Sequence, residues 1–167
     1  MLLAVPFMAS CLLEKSDLKI ISILIFAIAS LTDYLDGKIA RAYGIVTDAG
    51  KILDPIADKI LITSAFVSFV QIGKIPAWIA VIIIAREFLV TGLRIIAAKK
   101  NRVIAASAFG KAKMVLQTAT VFIILGGFGE TVNSIFIWTT AIITILSGID
   151  YFIKNKSVLE EALREGG

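Results

Sequence analysis

No histidine occurs among the 167 residues. Imidazole acid–base catalysis and histidine-ligated metals are therefore excluded, and carboxylates become the strong candidates for proton transfer and metal binding. Cys11 is the one cysteine and lies in an apolar stretch, so neither an intrachain disulfide nor a zinc-binding cysteine cluster can form. Proline is scarce, at three residues, and no linker rich in Pro, Gly or Ser, no repeat and no low-complexity tract divides the chain. A single domain over residues 1–167 is expected. The opening has neither the basic n-region nor the cleavage site that mark a signal peptide.

Charge is also thin. Charged residues make up 18% of the chain and hydrophobic ones 58%, with a mean hydropathy of +0.91. That balance lies beyond the soluble globular range and marks a polytopic membrane protein. Apolar segments run over 1–13, 19–35, 52–72, 76–98, 109–127 and 132–153, which predicts an all-α fold of six transmembrane helices. The first, with 13 residues, reaches only about 20 Å against a hydrocarbon core of about 30 Å. It reads as truncated, and residues preceding Met1 are expected in the natural protein.

Lysine and arginine set the orientation. Lys38, Arg41, Lys51, Lys59, Arg94, Lys99, Lys100, Arg102, Lys111, Lys113, Lys154, Lys156 and Arg164 collect on one side, against Lys15, Lys19 and Lys74 on the other. The rich side is cytoplasmic by the positive-inside rule. The net charge of +4 does not imply nucleic acid binding, because the basic residues line helix ends without forming a separate basic domain. A membrane surface and phosphate ligands account for them better.

Four carboxylates interrupt this apolar background in the pattern D-x2-D-G-x2-A-R-x8-G-x3-D-x3-D. They are Asp33, Asp36, Asp54 and Asp58, accompanied by Gly37, Ala40, Arg41 and Gly50. Ionisable groups beside membrane segments are costly and mark function. On a helix, Asp33 and Asp36 fall within about 60° of each other, and Asp54 and Asp58 within about 40°. Two helices meeting there would converge four acids, whose repulsion calls for hard cations such as Mg²⁺, Mn²⁺ or Ca²⁺. Gly37 and Gly50 remove side chains where a bulky ligand would press on backbone, and Arg41 offers a fork for phosphate oxygens. A solvated turn with ordinary surface acids explains neither the glycines nor the regular spacing. Pro55 falls in a tolerated first turn if its helix starts near Lys51, and implies a kink if the helix starts earlier.

A second constellation lies in the fourth segment, where Arg86 sits about 15 Å along the helix from Pro76 and requires an anionic partner. Glu87 is a poor one, since neighbours at i,i+1 diverge by about 100°; Glu87 is better placed for Arg94, two turns on. Arg86, Arg94, Lys111 and Lys113 together suit a soluble acceptor that carries a phosphate.

The acidic pattern resembles the signature of the CDP-alcohol phosphotransferases, which join an alcohol to a phosphatidyl or related group taken from a CDP-activated donor. Ala-Arg-Glu-Phe-Leu-Val-Thr-Gly-Leu-Arg at 85–94, Gly-Lys-Ala-Lys at 110–113 and Thr-Ile-Leu-Ser-Gly-Ile-Asp-Tyr-Phe at 144–152 look like the branch of that family that synthesises phosphatidylglycerophosphate. The likeness covers the second to sixth segments. The short stretch with Asn, Thr and Arg that the family carries before its first helix is not present in the sequence. The resemblance implies that Asp33, Asp36, Asp54 and Asp58 hold two divalent ions (Mg²⁺ or Mn²⁺), with Asp58 also the base toward the incoming hydroxyl. It implies that Gly37, Ala40, Arg41 and Gly50 accommodate the CDP group. The substrates it implies are CDP-diacylglycerol and glycerol-3-phosphate, handled by a homodimer in the cytoplasmic membrane. A relative with another acceptor, such as phosphatidylglycerol, inositol phosphate or serine, is the nearest alternative. A cation transporter is a more distant one, because transport sites lie near the membrane midplane whereas these acids sit at a helix end.

Overall fold

The computed structural model describes residues 4–12, 20–32, 48–99, 102, 104 and 107–165. These residues form helices and short connections, with no strand among them. The helices are α1 (Ala4–Leu12), α2 (Ile20–Thr32), α3 (Asp48–Gln71), α4 (Ala77–Lys99), α5 (Ala108–Gly126), α6 (Glu130–Lys154) and α7 (Lys156–Glu165). Side chains of α3 are described from Lys59 onward.

The fold is thus all-α, as the apolar segments predict, and helix ends fall within a few residues of the segment ends. α5 and α6, of 19 and 25 residues, reach about 28 Å and 37 Å at about 1.5 Å per residue. Both are long and apolar enough to cross a membrane. α4, with 23 residues, has the length, but Arg86, Glu87 and Arg94 interrupt its apolar run. α3 begins at Asp48, so Pro55 lies in the helix interior. Its missing N–H leaves the Lys51 carbonyl without the usual i,i+4 donor, the arrangement for which a kink is expected.

The chain divides into two compact units, one of residues 1–77 with 121–129 and one of 78–120 with 130–167. The first unit is held by aromatic packing. Phe7 of α1, Phe26 of α2, and Phe66 and Phe69 of α3 are all fully buried. The Phe26 ring lies 5.5 Å from Phe7 and 5.3 Å, edge-on, from Phe122. Such tilted and edge contacts suit the ring quadrupoles. A short polar link crosses the same region, where the Ser22 hydroxyl donates to Ser10 Oγ at 2.8 Å and Ser10 in turn donates to the Phe7 carbonyl. α3 stops at Gly73, whose φ of +70° is a left-handed conformation that glycine adopts without a Cβ penalty. The N–H groups of Gly73 and Lys74 close the helix end onto the carbonyls of Val70 and Phe69.

The second unit is built on stripes spaced three and four residues apart. α4 buries Ile79, Ile83, Glu87, Val90, Leu93 and Ala97, while α6 buries Ile137, Thr140, Ala141, Thr144, Ser147 and Tyr151. That spacing keeps one face of each helix turned inward. The α6 stripe is rich in hydroxyls, and Thr140 pairs with Thr120 of α5 at 2.7 Å. The outer faces are apolar: Trp138, Ile142, Ile145, Ile149 and Ile153 of α6 and Val81, Phe88, Leu89 and Ile95 of α4 are exposed. Trp78 and Trp138 pack at a tilt of 57°, with 5.4 Å between ring centres.

α6 ends at Asn155, whose side-chain amide donates to the Tyr151 carbonyl at 2.7 Å, and whose own carbonyl receives the Val158 N–H to start α7. α7 has no counterpart among the six apolar segments. It joins the unit through Val158, which packs with Val90, Leu93, Ala97 and Tyr151, and through an Arg102–Glu161 ion pair at 3.1 Å.

Phe26 joins two rings, so Phe26→Ala leaves a large void in the first unit. The expected cost is about 3–5 kcal/mol, measured as a lower thermal midpoint in detergent micelles, with Phe26→Leu losing clearly less.

Candidate functional site

The two constellations differ in what the structure describes. Asp33, Asp36, Gly37, Ala40 and Arg41 lie outside the described residues. Gly50, Asp54 and Asp58 follow one another at four-residue intervals along α3, on successive turns of one helix. Carboxylate oxygens are the donor set that Mg²⁺ and Mn²⁺ take, so the residue types fit such ions. Among the described residues no group of three acidic or cysteine side chains converges.

The basic constellation is fully described within the second unit. Glu87, at 9% exposure, and Lys113, at 6%, form a buried ion pair between α4 and α5. Lys113 also donates to Gln117 Oε1, one turn along α5, at 3.0 Å. Arg86 joins them as a third charge. Its Nη1 stands 3.6 Å from the same Glu87 oxygen that Lys113 holds, and its Nη2 donates to Ser147 Oγ of α6 at 2.5 Å. The carboxylate thereby joins α4 to α5, and Arg86 links α6 to the same cluster.

Two glycines flank Arg86. A Cβ added at Gly110 of α5 would stand 3.8 Å from Arg86 Nη2, and one at Gly148 of α6 would stand 3.4 Å from Arg86 Cγ. The guanidinium thus lies beside the first turn of α5, where the Ser107 hydroxyl caps the Gly110 N–H at 3.1 Å. Helix N-termini carry partial positive charge, which adds to the local excess. Arg86 Nε is buried and has no hydrogen-bond partner among the described residues. A buried charged group with an unmet donor is expensive, and an anionic ligand would relieve it.

Arg94 points elsewhere than the sequence suggests. Its Nε donates to Tyr151 Oη at 2.8 Å, with its guanidinium carbon 5.5 Å from that ring centre, and Glu87 belongs instead to Lys113 and Arg86. Arg94 is exposed, so solvent or a ligand reaches its head. Lys111 is exposed in the first turn of α5. Sequence reasoning missed Gln117, Ser147 and Tyr151. The signal was the polar repeat at 140, 144, 147 and 151, which only an inward-facing stripe explains on an otherwise apolar helix.

Removing one member of the buried pair strands the other. Glu87→Gln or Lys113→Met is each expected to destabilise the protein by about 3–5 kcal/mol, the scale for breaking a buried ion pair from one side. The double variant should lose much less than the two losses combined. Thermal unfolding of all three variants in detergent gives the coupling, and additive losses would show that the pair is not one energetic unit.

Comparison with known proteins follows the same residues. The CDP-alcohol phosphatidyltransferase family matches residues 1–146. The chain is similar to the CDP-diacylglycerol–glycerol-3-phosphate 3-phosphatidyltransferase of Bacillus subtilis, with 41% identity over 82% of this chain and 74% of the relative. The enzyme of that name from Rickettsia bellii is 38% identical over 80% of this chain and 78% of its own length. A probable phosphatidylglycerophosphate synthase of Mycobacterium tuberculosis is 37% identical over 83% and 67% respectively. With a family match that includes all of the acidic pattern and both arginines of α4, the chain belongs to the CDP-alcohol phosphatidyltransferases.

Proposed function

We propose that the chain is a membrane phosphatidyltransferase that makes phosphatidylglycerophosphate and CMP from CDP-diacylglycerol and glycerol-3-phosphate. The observation that carries the reaction is the acidic pattern, complete at every position from Asp33 to Asp58. The acceptor rests on Arg86, a buried cation with an unmet donor beside a carboxylate already held by Lys113. A phosphorylated acceptor supplies the missing negative charge. Relatives named for glycerol-3-phosphate support that choice over other alcohols.

In this reading Asp33, Asp36, Asp54 and Asp58 hold two divalent ions, Mg²⁺ or Mn²⁺, which supply positive charge against the donor pyrophosphate and the departing CMP. Gly37, Ala40, Arg41 and Gly50 accommodate the CDP group, with Arg41 directed at phosphate oxygens. Arg86, Arg94 and Lys111 face the acceptor phosphate, and Lys113 adds its charge to the acceptor-phosphate pocket from its buried place beside Glu87. Asp58 accepts the proton of the acceptor hydroxyl as its oxygen bonds to the donor phosphorus and the bond to CMP breaks. An in-line attack of this kind needs no enzyme nucleophile, consistent with a chain that has no histidine and one cysteine.

The setting is the cytoplasmic membrane, with six transmembrane helices and the catalytic residues on the cytoplasmic side. The second unit supports this setting by its apolar outer faces, where isoleucine, leucine and valine are exposed while hydroxyls and the Glu87–Lys113 pair are buried. A homodimer is part of the same reading and rests on the family resemblance.

Two results are expected from purified protein in mixed micelles or liposomes. Asp33→Asn, Asp54→Asn and Asp58→Asn should each nearly abolish CMP release while folded protein is retained, since each removes a charged ligand or the base. Near-normal turnover in a folded variant would take that residue out of the mechanism. Arg86→Ala should raise the KM for glycerol-3-phosphate by at least about tenfold, the loss of a charge-assisted hydrogen bond of about 1.5–3 kcal/mol, with the CDP-diacylglycerol KM little changed. Equal weakening of both substrates would reduce Arg86 to a structural role.

A further inference from the structure

We infer that Ser147 and Tyr151 of α6 are positioning residues that fix the two arginines of α4 for an acceptor phosphate, so that one turn of α6 sets the selectivity for phosphorylated acceptors. This inference rests on the function proposed above and extends it to residues that bear no charge of their own.

Both arginines of α4 are tethered to the same helix turn. Arg86 Nη2 donates to Ser147 Oγ and Arg94 Nε donates to Tyr151 Oη, and Ser147 and Tyr151 stand four residues apart on α6. Arg86 and Arg94 stand eight residues apart on α4, a rise of about 12 Å against about 6 Å for their two acceptors. Both acceptors are themselves immobile. Ser147 has no exposed surface, and Tyr151, at 2%, is clamped among Val90, Leu93, Ala97 and Val158. An arginine side chain has several freely rotating bonds and loses much conformational freedom when it is held. A fixed hydroxyl removes that freedom before the ligand arrives, which is how preorganisation raises affinity.

The tethers also decide which donors remain for a ligand. Ser147 occupies one terminal nitrogen of Arg86, Glu87 lies beside the other, and the buried Nε remains without a partner among the described residues. On Arg94 the pattern is reversed, since Tyr151 takes Nε and the residue is exposed. One hydroxyl therefore turns each guanidinium so that a different edge is offered. Neither hydroxyl touches the acceptor in this account; each acts through its arginine.

The experiment uses the full chain in mixed micelles, with initial rates of CMP release measured against glycerol-3-phosphate and against CDP-diacylglycerol separately. Ser147→Ala and Tyr151→Phe, the second of which keeps the buried ring, are each expected to raise the KM for glycerol-3-phosphate about tenfold. The KM for CDP-diacylglycerol and the kcat at saturating acceptor should stay within about twofold. Thr144→Val is the control, because Thr144 lies on the same buried stripe and its hydroxyl has no partner among the described residues; it should leave both KM values in place. Equal shifts for both substrates, or a Thr144→Val variant that behaves like Ser147→Ala, would show that α6 matters only for packing and would overturn the inference. A wild-type chain that releases no CMP with glycerol-3-phosphate would instead defeat the proposed function, and the inference with it. An active wild type with unshifted variants defeats the inference alone.

Discussion

A single carboxylate, that of Glu87, organises the second unit. It is buried among apolar helices, where an unpaired charge would cost several kcal/mol, and it is tolerated because Lys113 meets it from the neighbouring helix. Lys113 in turn needs Gln117 for another of its protons. A pair of this kind has strict geometry, so it fixes the register of α4 against α5 far more tightly than exchangeable aliphatic contacts do. Ser147, by accepting from Arg86, extends the same constraint to α6. The threonine pair at 120 and 140 secures the far end of the α5–α6 contact. Interhelical hydroxyl pairs are worth little individually in lipid, and this one is reinforced where Thr120 bonds back to the Leu116 carbonyl at 2.8 Å.

Two cations around one carboxylate leave a charge that is only partly met, and the shortfall falls on Arg86. Among the described residues its nearest carboxylate oxygen is 3.6 Å away, beyond good hydrogen-bond length, and its Nε has no partner. A structure selected for stability alone would place an apolar side chain here, since well-packed hydrophobic replacements of buried ion pairs are often neutral or stabilising. The retained instability is what a site for an anion looks like before the anion is bound. Gly110 and Gly148 flank the Arg86 side chain, where an added Cβ would stand at ordinary contact distance.

Long-range features were legible in the sequence where they rest on composition, and illegible where they rest on tertiary partners. The six apolar runs located α1 to α6 because each is continuous and separated from the next by polar residues. α7 escaped because charged residues dominate it and a single valine, Val158, anchors it in the core. The start of α3 was open because Asp48, Ala49 and Gly50 carry no apolar signal; with the helix beginning at Asp48, Pro55 is interior. The partners of Glu87 were the clearest miss. Sequence spacing offers only neighbours on the same helix, Arg86 and Arg94, whereas the strongest partner, Lys113, is 26 residues away on another helix. The hydroxyls of α6 were visible but ambiguous, since serine and threonine in helices also bond back to their own backbone, as Thr139 does to Ile135. The acidic pattern remains a reading of sequence, with only its α3 positions located on a described helix.

The separation of the basic cluster from the reacting group has a kinetic consequence. The phosphate of a phosphorylated alcohol is not the atom that changes bonding, so contacts to it are of nearly equal strength in the ground state and the transition state. Binding energy of that uniform kind appears in KM and hardly in kcat. The acids of the motif act on charge that develops as CMP departs, and their contribution therefore appears in kcat. A phosphate anchor that is rigid before the acceptor arrives assists binding further, because less freedom is lost when the complex forms, and that gain also appears in KM. That assistance requires the arginines themselves to be held. It gives a physical reason for Ser147 and Tyr151 to be buried and hydrogen-bonded while Arg94 remains open to ligand.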